Sequence, residues 1–113
     1  MAQLNPQIAA QAVGALGNAI DRLQQKGVRV ILFTPPYYQV YNERYLAQAP
    51  EMIDQMYQSV SQLQQEFGVE YYDFSQDPEL STRPRLFINS DHVNECGRQA
   101  SSERLAEAMR QVP

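Results

Sequence analysis

Ile8, Ala12, Leu16, Ile20 and Leu23 recur every three or four residues, which places them on one face of a helix. Asn5-Pro6 opens that helix, with Asn as the cap and Pro at the first helical position, where a missing N–H costs nothing. Lys26-Gly27 closes it with a cation near the carbonyl end and a glycine that can turn left-handed. The pattern predicts a helix from residue 6 to 26. Gly14 and Gly17 weaken it but leave room for another element to come close.

Val28 to Phe33 follows as a β-rich run without strict alternation, the pattern of a strand covered on both faces. Thr34-Pro35-Pro36 stops it, because prolines donate nothing to a ladder. Tyr37 to Gln48 reads as a loop or irregular helix. Pro50 opens a second long helix with its inward stripe at Ile53, Met56, Val60, Leu63 and Phe67, and Gly68 ends it. Val69 to Phe74 is a second strand, more polar and so nearer a sheet edge. Ser75-Gln76-Asp77-Pro78 is turn chemistry. Leu80 to Ile88 carries no assignable pattern. Asn94 caps a last helix whose stripe is Gly97, Ser101, Leu105, Ala108 and Val112.

Helix, strand, helix, strand, helix is the order of half a doubly wound α/β domain. Two strands joined by a helical crossover form a right-handed βαβ unit. The first two long helices are expected on one face of the sheet and the last on the other. At 113 residues the chain reads as one domain, without repeats or a low-complexity linker.

Composition narrows the chemistry. A net charge of −4 argues against a nucleic-acid binder, which needs a basic face. One cysteine, Cys96, excludes an intrachain disulfide, and one histidine, His92, excludes a His-cluster metal site. No run approaches the ~20 apolar residues of a membrane span, and residues 1–11 lack the pattern of a signal peptide. As written the chain reads as soluble. Imidazole catalysis has His92 alone to use.

Ligands of open parallel sheets bind beyond the carboxyl ends of the strands. Thr34 to Asn42, Asp73 to Asp77, and Asn89 to Asn94 are expected to gather there, the last carrying the histidine. On position alone, His92 reads equally as a residue that hydrogen-bonds a neighbouring loop at the start of a helix. Asp91-His92-Val93-Asn94-Glu95-Cys96-Gly97 resembles the D-H-L-N-x-x-G segment near the C-terminus of SGNH/GDSL hydrolases. Upstream, Val30 to Pro36 is similar to that family's strand ending in two prolines, and Tyr72-Asp73-Phe74-Ser75 to its strand ending in hydrophobic-D-hydrophobic-S. The likeness spans nearly the whole chain but only the second half of the family's domain. It lies toward the extracytoplasmic branch, which includes relatives that handle acyl groups on cell-envelope polymers. It implies a three-layer, flavodoxin-like α/β partial domain with a short parallel sheet.

The resemblance makes His92 the general base of a Ser-His-Asp arrangement, in which an aspartate three residues earlier orients the ring. That position is Asn89 here. An amide accepts a hydrogen bond but brings no charge, and the corresponding Asp-to-Asn change costs about 10⁴-fold in a serine protease. Asp91 is the alternative carboxylate, although an adjacent residue usually points elsewhere. The family's Gly-Asp-Ser nucleophile block is missing from these residues. Among the serines near the expected edge, Ser75 reads as a turn residue and Ser90 lies too near His92 in sequence, so neither is assigned as nucleophile.

Tyr37, Tyr38 and Asn42 are candidates to line a substrate cleft, against the plainer role of covering the sheet end. Cys96 reads as a small residue packed behind the histidine loop rather than a reactive thiol, and Arg83 and Arg85 as solvated loop cations. The resemblance implies the histidine-bearing half of an esterase or O-acyl-transfer protein acting on an acyl ester on a glycan. It implies no cofactor or metal, and an inactive chain when alone. A non-catalytic α/β protein-interaction module is the alternative. The apolar strand Val28 to Phe33 predicts a homodimer, or pairing with a missing N-terminal half, because an unpartnered strand edge invites another chain. The parent protein is expected to be extracytoplasmic or membrane-anchored, a compartment the residues themselves do not name.

Overall fold

The computed structural model describes residues 6–44, 46–89 and 91–111. Its elements are α1 (Pro6–Gln25), β1 (Ile31–Thr34), α2 (Gln39–Arg44), α3 (Pro50–Phe67), β2 (Glu70–Asp73), α4 (Pro78–Ser81), β3 (Phe87–Asn89), β4 (His92–Val93) and α5 (Glu95–Arg110), with 3-10 turns at Leu46–Gln48 and Pro84–Leu86. β1 and β2 form a short parallel sheet, and β3 and β4 a separate antiparallel hairpin. The expected helix-strand alternation is therefore present, with α2, α4 and the hairpin added. The chain divides into two compact units, Met1–Leu32 with Pro50–Tyr71 and Phe33–Ala49 with Tyr72–Pro113.

In the first unit, both long helices end on left-handed glycines, Gly27 at φ 78° and Gly68 at φ 68°. At the end of α1 the Gly27 amide donates to the Gln24 carbonyl (2.9 Å) and the Val28 amide to the Leu23 carbonyl (3.0 Å). That is the two-bond Schellman arrangement. Val28 is thus committed to the helix end, so β1 starts at Ile31 rather than Val28. Gly68 makes the simpler closure, its amide donating to the Gln64 carbonyl at 2.8 Å.

Ile20, Leu63 and Val69 form the buried core of this unit, with Val13, Val30, Leu32 and Phe67 packed on it. The α3 stripe lies where the periodicity puts it, since Ile53, Met56, Val60, Leu63 and Phe67 are all buried or half-buried. The α1 stripe is corrected. Leu16 and Leu23 are 43% and 42% exposed, Ala12 is exposed, and the Ile8 side chain lies outside the described residues. The contact line runs instead through Val13, Gly17 and Ile20. Gly17 is the reason: a Cβ there would sit 3.0 Å from the Phe67 ring, so the bare backbone lets that ring come close and draws α3 onto this line. One turn on, Gln24 Nε2 donates to the Phe67 carbonyl (2.9 Å), satisfying an acceptor at the end of α3. Arg29 grips Glu70 with two bonds of 2.7 Å.

In the second unit, Pro36 is fully buried, and Phe74, Leu80 and Leu86 are the buried apolar side chains. The Phe74 amide, just past β2, donates to the carbonyl of Thr34, the last residue of β1, at 3.0 Å. Asp77 caps α4 by accepting from the Glu79 amide (2.9 Å), while its other oxygen accepts from Arg104 Nε of α5 (3.0 Å). α5 itself begins at the expected cap: Asn94 Oδ1 accepts from the Gly97 amide at 2.9 Å. Its stripe of Gly97, Ser101, Leu105 and Ala108 is buried or half-buried, and Val112 lies outside the described residues. No described helix is long and apolar enough to cross a membrane.

Candidate active site

The stretch from Leu80 to Ile88, patternless in sequence, folds as the end of α4, a 3-10 turn and the strand β3. β3 pairs with β4 so that Phe87 faces Val93 and Asn89 faces His92, with an irregularity between Phe87 and Asn89. This hairpin sets the histidine.

His92 Nδ1 lies 2.9 Å from Asn89 Oδ1 and 2.9 Å from Asp91 Oδ1. The Asn89 oxygen also accepts from the Asp91 amide at 3.3 Å, which fixes which end of the side chain is the carbonyl. Two acceptors facing one ring nitrogen require that nitrogen to carry a proton, so Nδ1–H donates to both, and in the neutral ring the lone pair is then on Nε2. The imidazole is 68% exposed and the Asp91 side chain 40%. Asp91, expected to point elsewhere, instead folds back from the turn onto the ring. Its position in a hairpin turn, where the chain reverses, allows what an extended chain would not. Ser90 lies outside the described residues.

Behind the hairpin, the remaining letters of the histidine block each have a structural use. The Asn94 amide donates to the Leu86 carbonyl (2.9 Å) and Asn94 Nδ2 to the Arg85 carbonyl (2.7 Å), so the cap of α5 also holds the 3-10 turn that leads into β3. Gly97 packs against this same turn: a Cβ there would collide with the Leu86 carbonyl oxygen and come within 2.7 Å of Val93 Cβ. Cys96, expected to pack behind the loop, is exposed; Gly97 takes that place. Arg83 and Arg85 are exposed.

The loop after β1 is anchored on Ser75. The Ser75 carbonyl accepts from the Tyr37 amide (3.3 Å), from Asn42 Nδ2 (2.9 Å) and from the Ser81 hydroxyl (3.1 Å). The Ser75 hydroxyl donates to Asp73 Oδ1 at 2.6 Å and its amide to the same oxygen at 3.0 Å, which makes Ser75 a buried turn residue. Tyr37 packs on Tyr41 with ring centroids 5.2 Å apart, and Tyr38 on Phe87 at 5.7 Å. Asn42 Oδ1 is buried and has no hydrogen-bond partner among the described residues. Burial, then the neighbouring Tyr41 and the carboxylates of Asp91 and Asp73, hold the Tyr37 phenol above its ordinary pKa of 10.0. Tyr37 thus feels the charge of the residue that faces His92, whereas the side chains of Tyr38 and Asn42 are engaged with Phe87 and the Ser75 carbonyl.

A groove of about 460 Å³ lies elsewhere, between α1 and α3 of the first unit, floored by Val13, Gly17, Leu63 and Phe67. It contains no titratable cluster, so volume does not mark the chemistry here. What the sequence reading missed is the hairpin. Its signal was present in the short apolar run Leu86-Phe87-Ile88 directly before the turn-forming Asn89-Ser90-Asp91.

Searches of curated proteins and of solved structures find no match. One family does match, described as SGNH hydrolase-like domain, acetyltransferase AlgX, and its model covers residues 2–113. The order of the elements, the histidine block and that match agree: the chain belongs to this SGNH hydrolase-like family.

Proposed function

We propose that the chain supplies the general base of an O-acyl transfer or ester-hydrolysis site, with a glycan-borne acyl ester as substrate and the serine nucleophile contributed from outside these 113 residues. The observation that carries this reading is the arrangement at the only histidine: Nδ1 is held by two oxygens at 2.9 Å on a ring that is 68% exposed, which leaves Nε2 as the nitrogen for a proton transfer. In such a site Nε2 takes the proton of a serine hydroxyl as the serine oxygen bonds to the acyl carbon. The imidazolium then returns that proton to the departing alkoxide, leaving the acyl group on serine. A second cycle passes the acyl group to water or to an acceptor hydroxyl. Tyr37 stays a neutral phenol in this scheme, close enough to Asp91 to feel its charge.

The purified chain alone is expected to show no turnover of p-nitrophenyl acetate. Combined with a Gly-Asp-Ser-bearing half of a family member, it is expected to gain turnover that His92→Ala removes. Activity of the chain alone that survives serine-directed inhibitor controls and vanishes in His92→Ala would overturn the external nucleophile. Turnover of the combination that is indifferent to His92→Ala would overturn the base assignment.

A further inference from the structure

We propose that the charge on His92 is managed by Asp91, the residue directly before it, and that Asn89 acts as a neutral clamp positioning both. This rests on His92 being the base, and it assigns the two neighbours different work. The amide oxygen of Asn89 holds two donors at once, the Asp91 backbone N–H at 3.3 Å and the His92 Nδ1–H at 2.9 Å. It therefore fixes where residue 91 turns and how the ring lies, but has no charge to offer an imidazolium. The Asp91 carboxylate, 2.9 Å from the same nitrogen, has one. Hydrogen bonds to an ionised partner are roughly twice as strong as neutral ones.

The same geometry accounts for the asparagine. An aspartate at 89 would set a second carboxylate against the same N–H, beside Asp91, and like charges sharing a site disfavour each other's ionised form. A neutral acceptor at 89 removes that repulsion and leaves one full charge on the ring. In this chain the carboxylate on the ring comes from the residue directly before the histidine, and position 89 supplies a hydrogen bond without a charge. Both are positioning residues, because both act through His92.

The tautomer of the ring reads this out without any substrate, so the result stands apart from the acyl-transfer reading. The chain has a single histidine, and long-range proton–nitrogen correlations of its imidazole need no assignment. In the ¹⁵N-labelled 113-residue chain, at a pH where the ring is neutral, the Nδ1–H form is expected to dominate, whereas a free imidazole side chain favours Nε2–H. Asp91→Ala is expected to lose more of the Nδ1–H form than Asn89→Ala, with far-UV circular dichroism unchanged in both. Asp91 is 40% exposed, so its truncation does not open a core. A dominant Nε2–H form in the unaltered chain, or a loss in Asn89→Ala equal to or greater than that in Asp91→Ala, would overturn the proposal.

Discussion

Replacing Gly97 with alanine adds one methyl group where the structure has no room for it. The new Cβ would overlap the Leu86 carbonyl oxygen and stand 2.7 Å from Val93 Cβ. The principal obstacle is backbone, so no side-chain rotation relieves it; either the first turn of α5 or the 3-10 turn ending at Leu86 must move. That turn is tied to the helix cap by the Asn94 amide at 2.9 Å, and movement strains this bond as well. Overpacking of this kind costs about 3 kcal/mol at the upper end of its usual range. Alanine in place of glycine within a helix returns about 1 kcal/mol. The net is a loss of about 2 kcal/mol, up to thirtyfold in the folding equilibrium. With a urea dependence of about 2 kcal/mol per molar, the midpoint falls by roughly 1 M. Gly14→Ala is the matched control: it is also helical, and nothing lies within 4 Å of its added Cβ, so the same substitution is expected to raise the midpoint. A Gly97→Ala chain as stable as the unaltered one would show that the hairpin does not rest on α5 as described.

Tyr37 gives a pH prediction whose sign follows from its raised pKa. A phenol that ionises later in the fold than in the unfolded chain stabilises fully below its unfolded value of about 10, and that contribution fades as pH rises through the folded value. Urea midpoints of the unaltered chain are expected to fall across this alkaline window more steeply than those of Tyr37→Phe; parallel curves would refute the environment assigned to Tyr37. Self-association is the other expectation. β1 has a single strand neighbour among the described residues, and its Phe33 is 48% exposed, so sedimentation at micromolar concentration should show a dimer. A lone species near 12.9 kDa would refute it.

Local signals carried well from sequence to structure. Gly27, Gly68 and Asn94 act where caps were expected, because each works through backbone geometry within a few residues. The α3 stripe was equally legible, since its periodicity has no interruption. The α1 stripe was not: Leu16 loses to Gly17, and a glycine contributes nothing to a hydrophobic pattern while deciding where Phe67 can approach. At the histidine, the Asn89 contact followed from the family spacing, whereas the Asp91 contact depends on a chain reversal that spacing alone does not show. The role of Gly97 was hidden for a similar reason, as its neighbour Leu86 is eleven positions away in an unrecognised 3-10 turn.

Both groups that touch Nδ1 of His92 come from within three residues of it along the chain. A conventional triad draws its orienting acid and its base into register through the fold, so disturbing a distant helix can disarm it. Here the arming is written into a single short hairpin, an element that closes in about 1–10 μs with little loop entropy to overcome. The base and its orienting groups therefore form a transferable cassette. Recombination, truncation or replacement of the surrounding sheet is expected to leave the imidazole poised, provided that the turn ending at Leu86 and the first turn of α5 travel with it.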